Sequence, residues 1–154
     1  MEQAKYLANL KNLFPVIYPS FHMCITRSSE ELVFLNIEES SAFKANEVKT
    51  ALEGVFDGDK TLCEATINHF HLFDNVGVAG RTMAVAIGKA IAQNLLSTLT
   101  QIFPTKKFVV YLQLNINDST IIRFHQKWQG EHPYFDTTSD FEDGTELYRF
   151  ESGK

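Results

Sequence analysis

Cysteine is nearly absent: the 154 residues include Cys24 and Cys63, with no CxxC spacing. That excludes a zinc ribbon, a redox motif and a disulfide framework, and it fits a reducing compartment. Long apolar runs are also missing, since the most apolar stretch, Met83 to Phe103, is broken by Lys89, Gln93, Asn94 and Gln101. Each of these is costly in hydrocarbon, so no transmembrane helix is expected. The N-terminal MEQAKYLANLKNLFP lacks the basic start, apolar core and small-residue cleavage site of a secretory signal, and the expectation is a soluble, cytoplasmic protein. Basic clusters are scarce: Lys106-Lys107 is the only basic doublet, which counts against nucleic acid as a partner. No GxSxG elbow occurs, and in the stretch Asp74 to Thr82, Asn75 and Arg81 stand where a phosphate loop needs Gly and Lys.

What is present suits one globular domain spanning 1–154. Apolar residues make up 44% of the chain, and a chain of this length buries enough surface to fold without a metal or disulfide. The formal charge of -5 is unevenly placed. Residues 1–130 carry 12 acidic and 12 basic side chains, so the whole excess lies after Gly130. An acidic zone of this kind attracts a basic partner and speeds its association.

Periodicity outlines the elements. Ala4, Leu7, Leu10 and Leu13 with Phe14 recur at helical spacing until Pro15. Alternation through Phe21, Met23 and Ile25, followed by Leu32 to Ile37, predicts an antiparallel hairpin. Ser40 and Ser41 are candidate caps for a helix with Ala45, Val48, Leu52, Val55 and Phe56 on one stripe, closed by Asp57-Gly58-Asp59. The span 60–73 fits two patterns: a strand with Cys63, Ala65, Ile67, His69, His71 and Phe73 on one face, or a helix capped by Asp59. Its Thr, Ile and Phe content favours the strand. A long helix, about Arg81 to Phe103, presents Met83, Ile87, Ile91, Leu95, Leu99 and Ile102, while Ala84, Gly88 and Ala92 on an adjoining line permit close approach to a sheet. Residues 107–114 and 120–125 flank a polar turn and predict a second hairpin, with Leu147 to Phe150 as a last short strand. The expected class is α+β: a two-layer sandwich in which a mainly antiparallel sheet built from hairpins packs against the long central helix.

Chemistry-bearing residues are few. His69 and His71 would share one strand face, with Asp74, His22 or Cys63 as further ligands, but two imidazoles do not fill a coordination sphere. No metal and no cofactor are therefore expected, and both cysteines read as buried, inert thiols. An alternative function remains open on these histidines: a small enzyme or ligand-binding module with a pocket between helix and sheet containing His69 and His71.

The C-terminal third interleaves Trp128, His132, Tyr134, Phe135, Phe141, Tyr148 and Phe150 with seven carboxylates. Aromatic anchors beside acidic groups are the composition expected of a surface for a basic protein. The candidate partner-binding residues are Glu131, Tyr134, Asp136, Asp140, Phe141, Glu142, Asp143 and Glu146. Residues 119–135, a strand ending in FHQ and running into GEHPYF, resemble a C-terminal pattern of small bacterial immunity proteins from contact-dependent growth inhibition and related polymorphic toxin systems. The resemblance implies a cytosolic, non-catalytic inhibitor that covers the active site or an exosite of one cognate toxin domain, often a nuclease. Such proteins share no catalytic set, so no residue roles carry over. The acidic excess agrees independently, because nuclease surfaces that hold nucleic acid are basic.

Overall fold

The structure is a computed structural model that describes residues 13, 15–36, 45–74, 77–115, 119–136 and 144–153. The expected hairpin forms from β1 (Phe21–Ile25) and β2 (Glu31–Leu35), antiparallel with Phe21 opposite Leu35 and Ile25 opposite Glu31. Helix α1 (Ala45–Gly54) buries Val48 and Leu52, and Phe56 just beyond it packs on the same cluster, but Val55 is 79% exposed and so leaves the expected stripe. The chain then turns through Asp57 and Gly58, both at positive φ.

The strand expected across 60–73 is corrected by the structure. Residues Lys60–Ile67 form α2, and only His69–Phe73 form a strand, β3. Asp59 starts the helix because its carboxylate accepts the Leu62 N–H at 2.7 Å, satisfying one of the donors a first turn leaves unpaired. Asn68 ends it, and its N–H returns to the Glu64 carbonyl at 2.7 Å. The helix is disguised in the sequence because its buried side is polar: Thr61 and Glu64 are buried alongside Cys63 and Ala65, while Leu62 faces solvent.

Helix α3 (Gly77–Ile102) begins four residues before the expected start and spans about 39 Å at 1.5 Å per residue. Its buried face is Ala84, Gly88, Ile91, Ala92, Leu95 and Leu99. Of the expected stripe Ile91, Leu95 and Leu99 are buried, whereas Met83, Ile87 and Ile102 are exposed, which corrects its ends: toward the N-terminal half the small-residue line Ala84, Gly88 and Ala92 meets the sheet instead. Close packing is the reason, since a Cβ on Gly88 would lie 2.7 Å from a Leu112 methyl carbon. Among the described residues no helix is long and apolar enough to cross a membrane.

Strands β4 (Phe108–Leu114), β5 (Thr120–Gln126) and β6 (Glu146–Glu151) join β3 in a four-stranded sheet of order β3-β5-β4-β6, antiparallel at every pairing. With α3 packed on this sheet, the α+β class and helix-on-sheet layering expected from sequence are observed. The β1–β2 hairpin, however, is a separate sheet. Strand β2 is buried on both faces: Val33 and Leu35 enter the main core, and Leu32 and Phe34 enter a smaller cluster with Cys24, Val48, Leu52 and Cys63.

Candidate functional site

Strand alternation sends Phe70, Ile122, Leu112 and Tyr148 toward α3 and places the residues between them on the opposite face. One row across that outer face reads His69, Arg123, Tyr111, Arg149, and the next reads His125, Val109, Glu151. Segment 127–136 runs over these rows and is fastened at several points. The Lys127 N–H donates to the Lys107 carbonyl at 2.7 Å. Tyr134 stacks over the Arg123 guanidinium with its ring centre at 5.2 Å, and Phe135 meets Tyr111 edge-on, also at 5.2 Å. The Glu131 carboxylate accepts the Thr61 N–H at 2.7 Å and the Lys60 N–H at 3.4 Å, and Lys60 Nζ lies 3.6 Å away. An anion at a helix N-terminus satisfies first-turn donors and the helix dipole together, so Glu131 ties the loop to α2.

Between this loop and the sheet lies a cavity of about 240 Å³. Val109, His125 and Arg149 contribute from the sheet, Thr61 from α2, and Lys127, Trp128, Glu131, His132 and Pro133 from the loop. His125 is 2% exposed, and burial holds its pKa below the usual histidine range, with Arg149 adding to the effect against a hydrogen bond to the Gln126 backbone. Its Nδ1 lies 2.7 Å from the Gln126 carbonyl and its Nε2 lies 3.3 Å from the Tyr111 hydroxyl. That network assigns the proton to Nδ1 and makes Nε2 the acceptor of the tyrosine O–H. Burial also raises the Tyr111 pKa. Lys127 and Arg149 both pair with Glu151.

Behind Trp128 lies Glu64, fully buried and with no cationic partner among the described residues. Its Oε1 accepts the Val33 N–H at 2.8 Å and the Gln126 Nε2 at 2.7 Å; its Oε2 accepts the Gln126 N–H at 2.7 Å and the Trp128 indole N–H at 3.0 Å. Burial pushes its pKa up to about 7, against the four donors, which pull it down. One helical turn on, Asn68 accepts the Leu35 N–H at 3.0 Å and donates to the Val33 carbonyl at 2.9 Å. Glu64 of α2 and Asn68 at its end therefore occupy the gap between β2 and β5 and join the two sheets.

The carboxylates expected to face a partner divide. Glu131 is committed to α2, and Glu146 to Arg81 at 2.9 Å and to the Tyr148 hydroxyl. Burial does not drive the Glu146 shift: the Tyr148 and Arg81 hydrogen bonds hold its carboxyl below the usual range. Tyr134 is half-buried on Arg123 and Asp136 is exposed. Asp140, Phe141, Glu142 and Asp143 lie outside the described residues, as do Ser40, Ser41 and the opening helix pattern before Pro15 except Leu13; Pro15, expected to stop that helix, is itself helical with Val16 and Ile17.

The alternative pocket between helix and sheet is corrected: His69 and His71 point away from α3, and the helix–sheet interface is filled by core side chains. The two imidazole rings lie 4.7 Å apart, and His71 Nδ1 is 3.6 Å from Asp74. Burial, with Arg123 and His71 nearby, lowers the His69 pKa to about 4, so the ring is neutral near pH 7. Both cysteines are buried, and burial pushes the Cys63 thiol up to about 12, far from a reactive thiolate. Sequence reasoning overlooked Glu64, Arg123, Tyr111, His125 and Arg149 as a constellation. The available signal was Arg123 and His125 alternating with Ile122 and Phe124 in a strand otherwise rich in apolar residues.

The chain belongs to the Uncharacterized protein PM0498 family, whose model matches residues 10–147. Neither the curated proteins nor the solved structures include a significant match.

Proposed function

We propose that the chain is an immunity protein: a non-catalytic, cytoplasmic inhibitor that binds a cognate toxin domain, with a nuclease as the class its acidity suits. The observation that carries this reading is the fastening of segment 127–136, the part that ends the resemblance, across the outer face of the sheet through Glu131, Tyr134 and Phe135. A loop held on a rigid scaffold is the usual carrier of recognition. Here it leads directly into the acidic run Asp140 to Asp143. On this reading Glu131 and Glu146 anchor the surface, while Tyr134, Asp136 and the acidic run meet the partner. An acidic surface set against a basic substrate groove speeds encounter and excludes nucleic acid.

The test is coexpression with the variable C-terminal domain of a large secreted protein encoded immediately upstream, followed by calorimetric titration of the purified pair. A one-to-one complex and relief of the domain's toxicity are expected. Reversing Asp140, Glu142 and Asp143 to Lys should slow association sharply at low salt while the thermal melt is unchanged. Unrelieved toxicity without a complex would overturn the proposal.

A further inference from the structure

The cavity between the loop and the sheet has features that holding the loop in place does not require. At about 240 Å³ it is smaller than sites for drug-sized molecules, which suits a ligand of one ring. Its walls supply flat apolar surface, from the Trp128 indole, Pro133 and the neutral His125 ring. Its charge is one-sided. Glu131, which also lines the cavity, spends its carboxylate on the α2 N-terminus and Lys60, while in the sheet wall Lys127 and Arg149 face a single Glu151. That wall keeps one net positive charge. The Arg149 contact with Glu151 runs through Nε at 2.5 Å, one of the three guanidinium nitrogens.

We propose that this cavity binds a small monocarboxylate carrying a flat apolar body, with the carboxylate on Arg149 and Lys127 and the ring against Trp128 and Pro133. A guanidinium matches a carboxylate through two parallel N–H bonds, and one net positive charge balances one carboxylate better than a phosphate dianion. The site shares segment 127–136 with the toxin-binding reading but does not rest on it, because no residue of the acidic run lines the cavity and ligand binding is read on the protein alone.

Trp128, the only tryptophan, lines the cavity and reports on it directly. Benzoate should quench its fluorescence saturably and raise the melting temperature. Acetate, which lacks the ring, should bind more weakly, and benzylamine, of opposite charge, should not bind. Arg149→Gln should abolish saturation. Arg149→Lys keeps the charge and the β6 pairing but loses the fork, and should weaken benzoate by about tenfold, the value of one charge-assisted hydrogen bond. The inference is overturned if benzoate gives no saturable quench, if benzylamine quenches equally, if phenyl phosphate binds more tightly than benzoate, or if both folded Arg149 variants bind benzoate as the wild type does.

Discussion

Replacing Glu64 by Gln isolates the buried carboxylate that joins the sheets. All four of its acceptor positions are filled by N–H donors, and burial raises its pKa from 4.5 to about 7. The folded protein therefore holds this proton more tightly than the unfolded chain does. As pH rises, the unfolded chain ionises first and gains the advantage. The stabilisation is complete below about pH 4.5 and is lost as pH passes through about 7. Each pH step of one between the two values is worth roughly 1.4 kcal/mol, which makes about 3 kcal/mol in all. Full burial removes any need to discount this for solvent screening. The Gln variant has no proton to lose. It also turns an NH₂ toward two of the four donors, which costs about 1 to 3 kcal/mol for each donor stranded. Urea denaturation of both proteins from about pH 5 to about pH 8 should show the wild-type advantage shrinking by about 2.5 kcal/mol, the part of the total that falls in this range, because every other titration cancels in the difference. Parallel stability profiles would refute the reasoning, since Glu64 would then hold its proton equally well in both states.

Two further substitutions test the helix–sheet layer. Leu95→Ala removes a fully buried side chain from the C-terminal half of α3 and should cost about 2 to 5 kcal/mol by thermal or urea unfolding; an unchanged midpoint would mean that this face is not packed. Gly88→Ala should gain about 1 kcal/mol of helix propensity and lose about 1 to 3 kcal/mol against Leu112, a net loss of up to about 2 kcal/mol. Stabilisation by the full propensity term would show that the helix has room there, and recovery in the Gly88→Ala, Leu112→Ala double variant would locate the clash.

The elements that were legible in the sequence are those whose buried faces are apolar and whose ends carry strong signals. Helix α3 stops before Pro104, and the β4–β5 and β1–β2 hairpins follow runs of branched and aromatic residues. Helix α2 was not legible, because hydrophobic periodicity assumes that inward positions are apolar, whereas Glu64 and Thr61 are inward and Leu62 is outward. The same assumption placed Met83 on the buried face of α3, where backbone proximity selects Ala84 and Gly88 instead. The cavity was hidden for a different reason. Its walls come from α2, three strands and a loop, and only the pairing register sets Val109 opposite His125 and brings Arg149 alongside on β6.

The side-chain joint between the sheets also sets an order of assembly. Strands β1 and β2 can pair as soon as residues 21–35 are available, since their contacts are local. Their attachment to the rest of the molecule waits for Glu64 and Asn68 to be positioned by α2 and for Gln126 to arrive, whose side chain reaches the Glu31 carbonyl across 95 residues of chain. Closing so long a loop is slow relative to hairpin formation. On a ribosome the hairpin emerges before α2 and β5 and waits with one face of β2 uncovered until Gln126 has been made, which places its greatest exposure to misassociation in that interval.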